Sequence, residues 1–153
     1  MDTHELRHIL FHHCLDEMNA RKALIIKKIT EANISAQEDV KSSAGDKFET
    51  HRAMMHLEAE LLTRQLDELE SLSVNLRLEK YTLDLPISVG SVIETSHGNF
   101  YLMISAAPCE IDARLYHCIS PDSPLGIAFL GLEEGDGFDH PTLDDWVEIY
   151  HLK

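Results

Sequence analysis

The chain has 153 residues, 44% of them hydrophobic and only 7% aromatic, with a formal charge of −14. That length allows one or two small domains, and scarce aromatics suit long helices better than a large aromatic core. The negative charge is opposite to that expected of a chain that binds nucleic acid by itself, which is driven by Lys and Arg neutralising phosphates, so the expected partner is a protein or a metal-bearing assembly rather than bare DNA or RNA.

The charge is uneven. Residues 1–85 hold 16 acids and 11 Lys or Arg, whereas residues 86–153 hold 11 acids against only Arg114 and Lys153. Two segments of different character follow from this. The three cysteines, Cys14, Cys109 and Cys118, have no metal spacing and an odd count, so a reducing cytoplasm is expected and the thiols read as structural. The sequence has no apolar run long enough for a membrane span and no signal-peptide apolar region near His4, Glu5, Arg7 and His8.

In chain order, the first half predicts two helices. Phe11, Leu15, Met18, Ile25, Ile29, Ala32 and Ala36 recur by fours and threes, with Lys22 in one slot of the series. Phe48, Met55, Ala59, Leu62, Leu66 and Leu69 repeat the pattern, with Arg52 in one slot and Leu76 at the end. This is the seam of a two-helix antiparallel coiled coil, and it also fits two amphipathic helices of a bundle. No Gly or Pro interrupts residues 1–44. The scarcity of aromatics favours a projecting hairpin. Ser42, Ser43 and Gly45 supply turn chemistry between the helices. Asp46 then reads as the N-cap of the second helix, with Glu49 three residues on as in a capping box.

The second half changes period. Residues 91–95 and 100–105 read as strands around a turn at His97-Gly98-Asn99, and residues 115–119 as a third. Ser120-Pro121-Asp122-Ser123-Pro124 opens a short helix over residues 125–130, which Gly131 ends. Glu133-Glu134-Gly135-Asp136 is a turn, and residues 146–152 alternate as a last strand. The fold class is α+β: a helical hairpin over residues 1–82, then a small antiparallel sheet with one helix over residues 83–153. Leu83-Asp84-Leu85-Pro86 reads as the linker.

Three stretches resemble the Gre family of bacterial transcript-cleavage factors. The most specific is Ile119-Ser120-Pro121-Asp122-Ser123-Pro124-Leu125-Gly126-Ile127-Ala128-Phe129-Leu130-Gly131, followed by Glu133-Glu134-Gly135-Asp136. It is similar to that family's IS-x-x-SP turn, short helix ending in L-[IL]-G, and EEGD. Gly45-Asp46-Lys47-Phe48-Glu49 resembles the family's GD-x-x-E, and residues 21–32 give a weaker match. The resemblance covers most of the chain and implies a coiled-coil hairpin followed by an FKBP-like domain. Three departures stand out. Extra residues lie within 33–44, Glu49-Thr50-His51-Arg52-Ala53 replaces the family's ENAEY, and Ile127 stands where an Arg is common.

The resemblance implies a factor that binds RNA polymerase, inserts the hairpin into its secondary channel and stimulates hydrolysis of backtracked RNA. The chain would have no cofactor of its own, and the polymerase would hold the Mg²⁺. Asp46 would help to hold a metal ion and Glu49 would orient or deprotonate water, an arrangement that two-metal phosphodiester hydrolysis requires. The nascent RNA 3′ end would be met within that complex, and the factor would act as a monomer away from membranes. A regulator that occupies the channel without cleavage is the alternative, and a coiled-coil protein-binding domain is a third. Lys41, Lys47 and Arg52 flank the acids and could contact RNA or the channel, or be solvated charge. The same two readings apply to Arg21, Lys22, Lys27 and Lys28. Ser120, Asp122, Ser123 and Pro124 are the implied docking residues. His4, His8 and His12 share a helical face beside His13, which admits a metal site but fits surface or seam histidines as well.

Overall fold

The computed structural model describes residues 1–38, 45–74, 76 and 86–153, with the side chains of Asp46 and Phe48 outside that description. Helices α1 (Thr3–Glu38) and α2 (Gly45–Leu72) form the hairpin. The α1 seam is Phe11, Leu15, Met18, Ile25, Ile29, Ala32 and Ala36, each buried or half-buried. Met55, Ala59, Leu62, Leu66 and Leu69 form the α2 seam in the same way. Both series follow the alternating three- and four-residue steps that keep one stripe facing a partner helix. Lys22 is half-buried in its slot, whereas Arg52 is exposed. Ser35 Oγ lies 3.3 Å from His51 Nε2, joining the two helices across the end where α1 meets α2. Thr30, Thr63 and Ser71 return their hydroxyls to the carbonyls four residues back, which removes their competition with the helical backbone.

The chain clusters into two compact units, Met18–Ser73 and a second built from Met1–Glu17 with Val74–Lys153. The first seventeen residues therefore cluster with the sheet rather than with the remainder of the hairpin. In the proposed linker, residues 83–85 lie outside the described residues, and Pro86 sits at a bend.

The sheet has six strands: β1 (Val92–Thr95), β2 (Gly98–Leu102), β3 (Cys109–Ile111), β4 (Arg114–Ile119), β5 (Gly137–Asp139) and β6 (Trp146–Leu152). Their order is β3-β4-β2-β1-β6-β5. One expectation needs correction, because the sheet is mixed: β2 and β4 run parallel, with Tyr101 opposite Cys118. The residues between them leave room for β3 to turn back against β4, so the crossover replaces a simple meander. The β1–β2 turn falls at Ser96-His97, and β2 already begins at Gly98, whose φ of +119° suits a residue without Cβ.

Register explains the continuous apolar run of β2. Ile93, Phe100 and Leu102 point to one face, where they join Ile87, Phe129 and Ile149 in a core. Phe129 comes from the short helix α3 (Pro124–Phe129), and its ring lies 5.3 Å from Phe100 and 5.0 Å from Phe138. Val92, Tyr101, Tyr116 and Cys118 take the other face and are equally buried. The start of α1 covers that face: Leu6, Leu10 and Cys14 are at most 4% exposed and recur every four residues. His13 Nε2 also meets the Ala107 carbonyl oxygen at 2.7 Å. A strand covered on both faces loses the polar alternation of a half-solvated one. Each fully buried large side chain contributes about 1.5–3 kcal/mol.

Candidate functional site

Two places carry the candidate residues, the start of α2 and the loop leading into α3. Helix α2 opens at Gly45, so Asp46 lies in its first turn rather than at the N-cap. An acid there still meets the positive end of the helix dipole. The side chain of Asp46 and all of Lys41 lie outside the described residues. Lys47, Glu49 and Arg52 are exposed on the first two turns. Glu49 follows Asp46 by three residues, a spacing that sets two side chains on one helical face. Carboxylates are hard oxygen donors of the type Mg²⁺ accepts, so their chemistry fits that ion. Among the described residues no group of three or more His, Cys, Asp or Glu is placed to hold a metal. On α1, Arg21 and Lys28 are exposed, Lys22 is half-buried, and Lys27 lies 3.9 Å from Glu31 in an exposed ion pair.

The loop before α3 is closed by its own serines. Ser123 is the N-cap: its Oγ accepts the Gly126 amide at 3.0 Å and donates to the Ser120 carbonyl at 2.6 Å. Ser120 Oγ in turn accepts the Asp122 amide at 3.3 Å. Pro124 occupies the first helical turn, where its missing N–H costs nothing. A Cβ on Gly126 would fall 2.0 Å from the Ser120 carbonyl oxygen, so only glycine lets the loop pass that close. Of the four docking candidates, Asp122 and Pro124 are exposed, whereas Ser120 and Ser123 are half-buried and spend their hydroxyls on the loop. Ile127 is 63% exposed on the outer side of α3.

The Glu133-Glu134-Gly135-Asp136 turn is also built into the sheet. Asp136 accepts the Glu133 amide at 2.8 Å, Gly135 takes a φ of +88°, and Glu134 accepts the Leu152 amide at 2.6 Å. The motif that is most specific in sequence is thus largely a folding device.

Comparison with solved structures finds similarity to a bacterial protein. GreA factor homolog 1 (Gfh1) of Thermus thermophilus is 22% identical, with 90% of this chain and 93% of that chain covered and a TM-score of 0.36. No protein-family model and no curated protein matches. Among the described residues no helix is long and apolar enough to cross a membrane.

Sequence reasoning missed three groupings. His97 Nε2 meets Asp145 Oδ2 at 2.9 Å, although 48 residues separate them. Glu94 is bridged by Arg114, at 3.4 Å, and by Lys153. Cys14 and Cys118 are buried and share a thiol hydrogen bond, which burial reinforces in holding the Cys14 thiol far above its ordinary range. Receiving that bond lowers Cys118, and burial raises Cys109. None of the three is signalled by local spacing, because each depends on strand order or on where α1 begins.

Proposed function

We propose that this chain is an RNA polymerase factor whose paired helices enter the polymerase's secondary channel, where Asp46 and Glu49 assist hydrolysis of backtracked RNA. One observation carries the reading: a Gly-Asp-x-x-Glu start to α2 occurs on the same chain as the 119–136 motif, with a seamed helix pair before it. Mg²⁺ held by the polymerase would supply Lewis-acid activation of the attacking water and the leaving oxygen. Asp46 would add an oxygen ligand, and Glu49, exposed near the start of α2, would orient the water or take its proton. Lys47 and Arg52, also exposed, attract phosphate. The chain itself is not an enzyme in this reading, since it lends acids to a partner's metal site and works where the polymerase does. Its second unit docks on the polymerase through residues 120–131, with Asp122 and Pro124 on the outside.

The test is RNA release from stalled elongation complexes of the cognate polymerase. Stimulated cleavage by the native chain, lost in both Asp46→Ala and Glu49→Ala while binding persists, supports the proposal. Unchanged cleavage in both variants defeats the acid assignment. Ile127, exposed where the resemblance leads one to expect an Arg, favours the non-cleaving channel regulator as the second reading. That reading is selected if the chain inhibits or alters synthesis without releasing RNA.

A further inference from the structure

The first turns of α1 carry His4, His8 and His12 at four-residue spacing, and the structure brings two of them together. His8 Nε2 and His12 Nε2 lie 3.1 Å apart, with ring centroids separated by 4.3 Å. Both rings are exposed. His12 also packs edge-on against Phe11, at 5.6 Å and 82°, and Phe11 is itself only 8% exposed. The His12 ring is therefore oriented by a side chain anchored in the core. His13 is turned to the Ala107 carbonyl and is occupied there.

The separation of the two nitrogens is the informative quantity. An imidazole nitrogen binds Zn²⁺ at about 2.0–2.1 Å, so two such ligands stand about 2.9 Å apart at a right angle and about 3.4 Å apart at the tetrahedral angle. The observed 3.1 Å falls between those limits. In the metal-free protein one Nε2 proton serves as the bridge between the rings. An ion replaces it without net proton release from neutral imidazoles, because the donating ring moves its proton to Nδ1. Imidazole is a ligand for late first-row ions rather than for Mg²⁺ or Ca²⁺, which take oxygen. No third ligating side chain is grouped with the pair among the described residues, so water fills the remaining positions.

We propose that His8 and His12 form a two-histidine binding site for a divalent late first-row transition ion, which ties successive turns of α1 together. The site lies within Met1–Glu17, away from Asp46 and Glu49 in sequence, and does not depend on the polymerase reading.

The test is calorimetric titration of the full chain with Zn²⁺, paired with nitrogen-15 spectra of the histidine rings. One ion per chain is expected, with metal-induced shifts at Nε2 of His8 and His12 and no binding of Mg²⁺. His8→Gln and His12→Gln should each abolish the transition, whereas His4→Gln and a substitution at the exposed His56 of α2, His56→Gln, retain it. The substituted rings are exposed, so circular dichroism should report unchanged helix in all four variants. Zn²⁺ should raise the thermal midpoint of the native chain and leave that of the His8→Gln and His12→Gln variants unmoved. An unaltered isotherm in the double His8→Gln/His12→Gln variant, or no Zn²⁺ binding by the native chain, overturns the site.

Discussion

Ser123 Oγ accepts the Gly126 amide at 3.0 Å, and the same hydroxyl reaches back to the Ser120 carbonyl. A Cβ on Gly126 would fall 2.0 Å from that carbonyl oxygen, so the cap and the glycine depend on the same close approach. Ser123→Ala removes a helix cap and should cost about 1 kcal/mol. Gly126→Ala should cost more, because the added methyl meets backbone that cannot yield and α3 must shift away from its core position. Urea unfolding followed by far-ultraviolet dichroism checks both. Equal midpoints for the native chain and Gly126→Ala would contradict the packing described.

Legibility varied with the range of the interaction. The apolar positions of the coiled-coil seam were readable from the sequence wherever their side chains are described, which leaves out Phe48, because an i, i+3, i+4 stripe depends only on helical geometry. Position 22 was readable too, as a polar interruption. Helix α3 came out one residue from its expected bounds, since Ser123 and Pro124 mark its start locally. The sheet was read less completely. Strands β3 and β5 have three residues each, too few to show a period. The parallel pairing of β2 with β4 rests on a crossover that no local signal announces. At the candidate site, Glu49, Lys47 and Arg52 are exposed. Ser120 and Ser123, named as docking residues from the motif, are engaged inside their own loop. A motif quoted as residues does not separate groups that face a partner from those that shape the loop.

Acid should loosen the join between the β1–β2 turn and the start of β6. Asp145 is held below the ordinary carboxylate range chiefly by its hydrogen bond with His97, and secondarily by the Trp146 amide. A carboxylate lowered by folding contributes stability above its unfolded pKa, and that contribution disappears as pH falls through the folded value. Asp145→Asn should therefore flatten the acid limb of the stability profile below about pH 4. The check is the urea midpoint of both chains across that range. Parallel profiles would show that the pair adds nothing to folding.

Lys22 occupies a seam slot between Met18 and Ile25, and it is half-buried there. A lysine at such a slot covers apolar surface with its methylenes and keeps its ammonium in water. Lys22→Leu completes the apolar stripe and should stabilise the hairpin by about 1 kcal/mol. Thermal melts at the helical wavelength should show the rise. Arg52→Leu, at an exposed position of the other helix, should move the midpoint less. A larger effect from Arg52→Leu would mean that the seam is set differently from the one described.

Asp122 offers a cleaner probe of docking than the serines beside it. Its carboxylate is exposed, and the hydrogen bond it makes to Ser120 Oγ uses its backbone amide. Asp122→Asn therefore removes a charge and leaves the loop's internal bonds in place. The surrounding segment is strongly acidic, with only Arg114 and Lys153 as cationic residues after position 85. If residues 120–131 meet a basic patch on the polymerase, the substitution should slow association and reduce its salt dependence, because rim charges act mainly on encounter. Ser123→Ala should weaken binding only as far as it unfolds α3, so its effect should track its stability loss. Binding kinetics measured at two salt concentrations separate these outcomes. If Asp122→Asn binds at the native rate with the native salt slope, the partner does not read this side of the loop, and the docking face lies elsewhere on the sheet domain.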